Sequence, residues 1–317
     1  MPDFGGNWRA DPARPRVEAD GGLAIESTGG LDGVRRFSHE AMATVFEVFL
    51  VHDDGQYAAQ AAHAAFDLVD RLERELSRFI PNSDVTRINH LAAGERTAVT
   101  PTTLECLVIA QHMFALTGGA FDVSIGTGLP SLALDSDAFE VRATTDGVRV
   151  DLGGIGKGYA VDLVAELLEE WALPRALVHG GFSSVLALDP PPGTDGWPLT
   201  LSDPAAPSRV LERLSVRQTA LGASGIRKTD HIVDPGTGEP VRGRLATWVT
   251  VPRPQAARDA REGPRLAATA VADALTTAFM LLSPEEIEAL CARSPGVRAW
   301  MLPDAAGEGL MRLGAHD

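Results

Sequence analysis

The sequence has only two cysteines and no long apolar run, and both scarcities exclude whole classes of protein. Cys106 and Cys291 cannot form a disulfide framework, and neither lies in a CxxC or Cys/His cluster of the kind that binds zinc. No stretch approaches the roughly 18 consecutive apolar residues of a membrane-spanning helix. The N-terminus lacks a basic start followed by an apolar segment. We therefore predict no secretory signal, no membrane span and a cytoplasmic location.

Basic residues are also in the minority, with 28 Lys and Arg against 43 Asp and Glu and a net charge of −15 at pH 7. This balance repels phosphate backbones, so we do not expect nucleic acid to be a partner. The 317 residues are 44% hydrophobic and 22% charged, which is a globular composition. We expect residues 1–35 to be a disordered or weakly ordered tail, 36–300 to be the folded domain and 301–317 to be a C-terminal tail.

The spacing of apolar residues predicts strands and helices in an irregular order. Helical spacing is found over 56–79, 102–117, 159–171 and 266–282. Strand patterns are found over 45–53, 148–152, 176–188 with a break at two glycines, 199–225 as several short strands, 245–252, and the VRAWML segment. Because this order lacks regular βαβ alternation, we predict an α+β fold of mixed or antiparallel sheets packed with helices.

The segment DLGGIGKG, 151–158, lies between a predicted strand and a predicted helix. Backbone N–H groups in such a loop, together with the positive end of the helix, suit an anion such as a pyrophosphate. The spacing matches neither the Walker A motif nor the Rossmann fingerprint. Lys157 could add a point charge for a phosphate oxygen. The alternative interpretation is a glycine-rich helix entry with a solvated lysine.

The segment HIVDPGTG, 231–238, places a histidine and an aspartate three residues apart before a Pro-Gly turn. His231 could act as a general base, because the pKa of imidazole lies near neutral pH. The alternative is a histidine that only forms hydrogen bonds within the turn.

The segment ADALTTA, 272–278, carries Asp273 and Thr277 four residues apart on one face of an otherwise apolar helix. A buried carboxylate is costly unless it is paired or binds a cation. A carboxylate and a hydroxyl are oxygen ligands of the kind that Mg²⁺ takes. The alternative is a buried salt bridge for Asp273 and a hydrogen bond from Thr277 to its own helix.

Seven segments in order resemble the ApbE family, the FAD:protein FMN transferases. They are AMATVFEVFL, ELSRFIPNSDVTRIN, TGGAFD, VDLGGIGKGYAVD, ALVHGG, ASGIRKTDHIVDPGTGEPV and ADALTTAF. The resemblance runs from about Met42 to Leu282 and implies that 36–300 form an ApbE-like flavin transferase domain, with two interleaved lobes and FAD between them. It also implies an Mg²⁺-dependent enzyme that attaches the FMN part of FAD to a Ser or Thr of an acceptor flavoprotein and releases AMP.

The resemblance also implies roles for individual residues. His231 corresponds to the base that deprotonates the acceptor hydroxyl. Magnesium would be held by the backbone carbonyl of Gly154 and by Asp273 and Thr277. The flavin site would be formed by Met42, Phe79, Ala120, Phe121, Asp122, Asp151, Lys157 and Ile232.

Several positions depart from the family's pattern. Phe79 stands where the family usually has Tyr, and FDVSIG, 121–126, replaces FDPTVG. The segment 122–151 is shorter than usual, and GGFSS, 180–184, lacks the Asp that often follows the two glycines. These changes leave the metal and phosphate groups intact. Two other functions use the same residues: an Mg²⁺-dependent FAD pyrophosphatase, with water as the nucleophile, and a flavin-binding protein without turnover.

Overall fold

A computed structural model describes residues 23–25, 33–181, 183–225, 232–253, 267–305 and 309–316. The helices in this part of the chain are α1 Gly55–Leu76, α2 Asp84–Ile88, α3 Pro101–Leu116, α4 Gly156–Glu170, α5 Ala268–Phe279 and α6 Pro284–Arg293. The strands are β1 Leu23–Ile25, β2 Val34–Ala41, β3 Thr44–Val51, β4 Arg96–Ala98, β5 Leu132–Asp135, β6 Glu140–Ala143, β7 Ala176–Gly180, β8 Ser184–Ala187, β9 Trp197–Asp203, β10 Ala206–Val216, β11 Thr219–Gly225, β12 Arg244–Pro252, β13 Arg298–Pro303 and β14 Met311–Leu313. No helix among these residues is long and apolar enough to cross a membrane.

The strands form three antiparallel sheets. The largest has eight strands in the order β14-β13-β12-β11-β8-β7-β3-β2, and two three-stranded sheets have the orders β1-β9-β10 and β4-β6-β5. Every strand pair in the described residues is antiparallel. The predicted α+β class is therefore confirmed.

The eight-stranded sheet is the middle of three layers, because both of its faces are covered. In β3, Phe46, Val48 and Leu50 join the core formed with the helices, whereas Phe49 faces the opposite side. This is the period of two expected for a strand. On that opposite side a second core, centred on tryptophans such as Trp197, packs the sheet against β1-β9-β10. The candidate site lies on the helix-covered side.

All four helices predicted from spacing are present, with shifted ends. The helix predicted over 56–79 is α1, which begins after Asp54, whose carboxylate accepts hydrogen bonds from the first-turn amides, and ends at Leu76. The helix predicted over 102–117 is α3. That predicted over 159–171 is α4, which begins three residues earlier, at Gly156. The helix predicted over 266–282 is α5, and residue 266 lies outside the described residues.

The strand predicted over 148–152 is wrong. The amide of Val150 donates to the side-chain oxygen of Asn89 at 2.6 Å, and the side-chain amide of Asn89 donates to the Val150 carbonyl at 2.9 Å. An asparagine side chain therefore takes the place of a neighbouring strand. The chain then forms a short 3-10 turn, Leu152–Gly154, before α4.

The segment predicted as an interrupted strand over 176–188 is the hairpin β7-β8, with its glycines at the turn. The region 199–225 contains β9, β10 and β11, and the strand predicted over 245–252 is β12. The VRAWML segment is β13, which crosses residue 300, and β14 pairs with it. The large sheet therefore extends into the segment 301–317.

Candidate functional site

The site is centred where α4 crosses α5. The two helices approach so closely that a Cβ atom on Gly158 would lie 2.4 Å from the carbonyl oxygen of Thr269. Only glycine fits there. The crossing places the start of α4, which contains the last three residues of the glycine segment 151–158, directly against the carboxylate of Asp273.

Asp273 is 6% exposed, and its two oxygens have different environments. Oδ2 accepts hydrogen bonds from the Gly158 amide at 2.8 Å and from the Ser184 hydroxyl at 2.7 Å. Oδ1 is buried and has no hydrogen-bond partner among the described residues. Burial raises the pKa of Asp273 to about 7, against the opposing effects of the Lys157 charge and these two hydrogen bonds. An unpartnered buried oxygen of this kind is suited to a cation.

The three predicted metal ligands are brought together. A Cβ atom on Gly154 would lie 3.6 Å from Thr277 Oγ1, and Thr277 lies one helical turn beyond Asp273. The Thr277 hydroxyl donates to the Asp273 carbonyl at 3.2 Å, which leaves its oxygen lone pairs to accept or ligate.

This donor set fits Mg²⁺, which commonly takes one or two carboxylates and completes its shell with substrate phosphates and water. The described residues contain no group of three His, Cys, Asp or Glu side chains that could hold a metal. Of the alternative interpretation, a salt bridge for Asp273 and a hydrogen bond from Thr277 to its own helix, only the second part is observed. Thr277 does bond to its own helix, but no ion pair within the described part of the chain involves Asp273.

Lys157 and the start of α4 supply positive potential beside this carboxylate. The Lys157 ammonium donates to the Gly153 carbonyl at 3.2 Å, and its side chain is half-buried. The N-cap residue of α4, Ile155, makes no side-chain hydrogen bond to the helix, and the first turn contains no acidic residue. Two amides of the glycine loop are already used, since Gly153 donates to Asp151 and Gly158 to Asp273. Lys157 and the rest of this helix start are thus the groups that remain suited to an anion.

Arg78 joins two of the predicted flavin residues. Its Nε donates to Asp151 Oδ2 at 2.7 Å, and its guanidinium carbon lies 4.0 Å from the centre of the Phe79 ring. Phe79 is 76% exposed, so most of its ring is open to a ligand. Sequence reasoning did not identify Arg78, although it precedes Phe79 in LSRF.

The residues Ala120, Phe121 and Asp122 lie in the tight turn after α3. Phe121 is buried, and its ring lies 3.4 Å from the position of a Cβ atom on Gly154. The Asp122 carboxylate accepts hydrogen bonds from the amides of Ser124 and Gly126 and from the Ser124 hydroxyl, at 2.7 to 2.8 Å. These bonds fix the turn.

The turn at Asp122 contacts two other predicted segments. The Asp151 amide donates to the Val123 carbonyl at 2.8 Å, which connects it to the glycine loop. A Cβ atom on Gly126 would lie 2.3 Å from the carbonyl oxygen of Pro235, so the segment with the buried Ile232 packs against it.

Two predicted site residues are not part of these contacts. Met42 lies at the turn between β2 and β3 with a φ of 50° and packs, half-buried, against the main core. His231 lies outside the described residues.

A sequence model of the ApbE family matches residues 42–129 and 127–301, most of the chain. The chain belongs to the ApbE family. The FAD:protein FMN transferase of Treponema pallidum is 27% identical over 340 aligned positions, covering 88% of both chains. The transferase of the same name from Vibrio cholerae is 24% identical, covering 68% of this chain and 75% of its own.

Solved structures of the family have the same fold. The flavin transferase ApbE of Vibrio cholerae superposes with a TM-score of 0.72 at 20% identity, covering 88% of this chain and 96% of the other. The ApbE protein of Thermotoga maritima gives 0.74 at 22% identity, covering 88% and 97%.

Within this ApbE-family chain, two further residues support the site but were missed from the sequence. Ser184 reaches Asp273 only because β8 packs against α5. Asp162, at the end of the KGYAVD segment, accepts hydrogen bonds from the first turn of α5. The signal for Asp162 was available: it is an acidic residue on the buried face of an apolar helix.

Proposed function

We propose that the protein transfers the FMN part of FAD to a Ser or Thr hydroxyl of an acceptor flavoprotein, in an Mg²⁺-dependent reaction that releases AMP. The observation that carries this proposal is the buried Oδ1 of Asp273, which has no hydrogen-bond partner among the described residues, beside Lys157 and the start of α4. The relatives of this chain that are named FAD:protein FMN transferase support the same proposal. FAD would lie between two interleaved lobes, as the family resemblance implies.

The metal ligands would be the Gly154 carbonyl, Asp273 Oδ1 and Thr277 Oγ1. Mg²⁺ bound there would supply positive charge to the pyrophosphate oxygens. Lys157 would contact a phosphate oxygen from the other side, which divides the negative charge of the pyrophosphate between two positive groups. Asp162 and Ser184 would hold the helix and the carboxylate in place.

The flavin would be held by groups around the Asp122 turn. The exposed Phe79 ring offers a stacking surface, and Phe121 closes the apolar side next to Gly154. Asp122 and Asp151 each retain carboxylate lone pairs that can accept from a polar edge of the ligand. Ala120 and Ile232 would complete the contact surface there, and Met42 is assigned to the flavin site by the family resemblance alone.

The chemical step needs a base and a leaving group. We assign His231 as the base that takes the proton of the acceptor hydroxyl. The hydroxyl oxygen bonds to the phosphorus of the FMN part, the bond from that phosphorus to the bridging oxygen breaks, and AMP leaves with the electron pair. A positioned base contributes typically about 10²–10⁴-fold to such a step.

A transfer assay tests this proposal. The purified protein is incubated with FAD and Mg²⁺, with and without a flavin-free acceptor taken from a protein that carries threonine-linked FMN. We expect AMP and covalent flavin only when the acceptor is present. AMP with free FMN in its absence would indicate a pyrophosphatase, and bound FAD without AMP would indicate a binding protein.

Two variants assign the roles. Asp273→Ala should lose Mg²⁺-dependent turnover while remaining folded. His231→Asn should melt and bind FAD like the wild type but transfer at least about a hundredfold more slowly in a single turnover. Transfer by His231→Asn at the wild-type rate would exclude it as the base.

A further inference from the structure

Ser184 occupies an unusual position on the large sheet. It is fully buried at the start of β8, and its two cross-strand neighbours are Gly180 on β7 and Gly222 on β11. Since neither neighbour has a side chain, no side chain projects from the sheet on either side of Ser184. A Cβ atom on Gly222 would lie 2.6 Å from the carbonyl carbon of Ala272, so α5 rests directly on this surface. The serine hydroxyl is thereby brought within reach of Asp273.

The hydrogen bond from Ser184 makes the two carboxylate oxygens of Asp273 unequal. Oδ2 accepts from both the Ser184 hydroxyl and the Gly158 amide, and these two donors come from different elements, β8 and α4. A carboxylate held by two donors on one oxygen cannot rotate without breaking a buried hydrogen bond. Oδ1 is the oxygen left without a partner in the described part of the chain.

We infer that Ser184 is a positioning residue for the metal: its hydroxyl fixes the rotation of the Asp273 carboxylate so that Oδ1 is the oxygen presented to Mg²⁺. This inference rests on the proposed function, because it requires Asp273 to be a metal ligand. A neutral donor orients the ligand without adding a second negative charge beside it.

The positioning role of Ser184 should be measurable as a change in metal affinity. Groups that orient metal ligands typically contribute about 10–100-fold to metal affinity. Without the Ser184 hydroxyl the carboxylate can turn, so metal binding should weaken. The chemical step itself should be little changed once the metal is bound. The apparent constant for Mg²⁺ should therefore rise while kcat at saturating Mg²⁺ remains near that of the wild type.

The test is a Mn²⁺ titration of the full chain with FAD, without acceptor, followed by electron paramagnetic resonance of the free ion. Ser184→Ala is expected to raise the Mn²⁺ dissociation constant at least about tenfold, and Ser184→Cys, a weaker donor, by less. The matched control is Ser224→Ala. The Ser224 hydroxyl donates to Thr276 Oγ1 on the same helix at 2.9 Å, rather than to the Asp273 carboxylate. This control should leave Mn²⁺ affinity within about twofold of the wild type.

Thermal melts establish that each variant is folded, and Ser184→Cys decides the matter if Ser184→Ala does not fold. Wild-type Mn²⁺ affinity in the folded Ser184 variant would overturn the inference. An equal loss in Ser224→Ala would overturn it too, because the effect would then come from the packing of α5. If the wild type itself binds no Mn²⁺ with FAD, the proposed metal site fails and the inference fails with it. Wild-type binding with an unaffected Ser184 variant removes the inference alone.

Discussion

Asp162 provides the N-terminal cap of a helix that begins more than a hundred residues later. Its carboxylate accepts hydrogen bonds from the amide and hydroxyl of Thr269 and from the amide of Ala270, at 2.9 to 3.0 Å. The cap position of α5 itself is Ala267, which has no acceptor side chain. The helix that carries Asp273 is therefore fixed at its start by α4.

Asp162→Ala should both destabilise the protein and weaken metal binding. Removal of the cap leaves buried amides at the start of α5 without acceptors, which should lower the free energy of unfolding by about 2 kcal/mol. Mn²⁺ affinity should fall as well, because α5 can then shift. Urea unfolding and a Mn²⁺ titration with FAD measure the two effects.

The control for this variant is Asp54→Ala, which removes the exposed cap of α1. It should leave Mn²⁺ affinity unchanged. If Asp162→Ala loses no more metal affinity than Asp54→Ala, the coupling between this cap and the metal site is refuted.

Without metal, the stability of Asp273→Asn relative to that of the wild type should increase as pH rises. Burial raises the pKa of Asp273 from 3.8 to about 7, so between these values the folded state binds a proton that the unfolded state does not. The stability of the wild type therefore falls as pH rises through this range, and asparagine removes that loss. Melting temperatures of both proteins from about pH 5 to about pH 8, without metal, measure the difference.

At the upper end of this pH range, added Mg²⁺ and FAD should raise the melting temperature of the wild type above that of Asp273→Asn. A cation beside the carboxylate stabilises its charged form, so the wild type should gain in melting temperature and Asp273→Asn should not. A constant difference between the two proteins at every pH would show that Asp273 does not titrate in this range.

Arg78→Met should weaken FAD binding, because methionine can neither pair with the Asp151 carboxylate nor place a guanidinium over the Phe79 ring. An exposed ion pair is worth up to about 1 kcal/mol, so a loss of roughly three- to fivefold is expected, measured by quenching of flavin fluorescence. Arg78→Lys keeps the charge but loses the planar contact with Phe79, and should be intermediate. Arg96→Met breaks the exposed pair with Glu140 and serves as the control. Equal FAD affinity in both methionine variants would refute the role of Arg78.

Gly126→Ala should disrupt the contact between the Asp122 turn and the segment at Pro235. Gly126 has a φ of 76°, and an added Cβ atom would lie 2.3 Å from the Pro235 carbonyl oxygen. Gly147 has a φ of 80° with nothing within 4 Å of an added Cβ atom, so Gly147→Ala has the same backbone strain without the clash. Only Gly126→Ala should reduce FAD affinity and transfer rate. Matching losses in both would attribute the effect to backbone strain alone.

The sequence was sufficient where the position of a residue follows from local spacing. Asp273 and Thr277 could be placed on one helix face because four residues make about one helical turn. The presence of α1 followed in the same way from its apolar repeat, although the helix ends at Leu76, three residues before the predicted end. Strand 148–152 could not be judged correctly, because the partner of Val150 is the Asn89 side chain, 61 residues away.

The supporting residues were beyond the reach of local patterns for a related reason. Arg78 and Asp151 are 73 residues apart, and Ser184 and Asp273 are 89 apart. No periodicity connects such pairs, because their distance is set by the packing of whole elements. Gly158 and Gly222 permit this packing, but the sequence alone does not show which element each glycine allows to approach.

The contact between Gly158 and Asp273 spans 115 residues, and it has a consequence for biosynthesis. A nascent chain exposes the glycine loop long before α5 leaves the ribosome. Until then, the loop lacks the carboxylate and hydroxyl that α5 contributes to the proposed metal site. Contacts of such long range also form late in folding, because closing a large loop costs chain entropy. Chains truncated before α5 should therefore be unable to assemble the metal site.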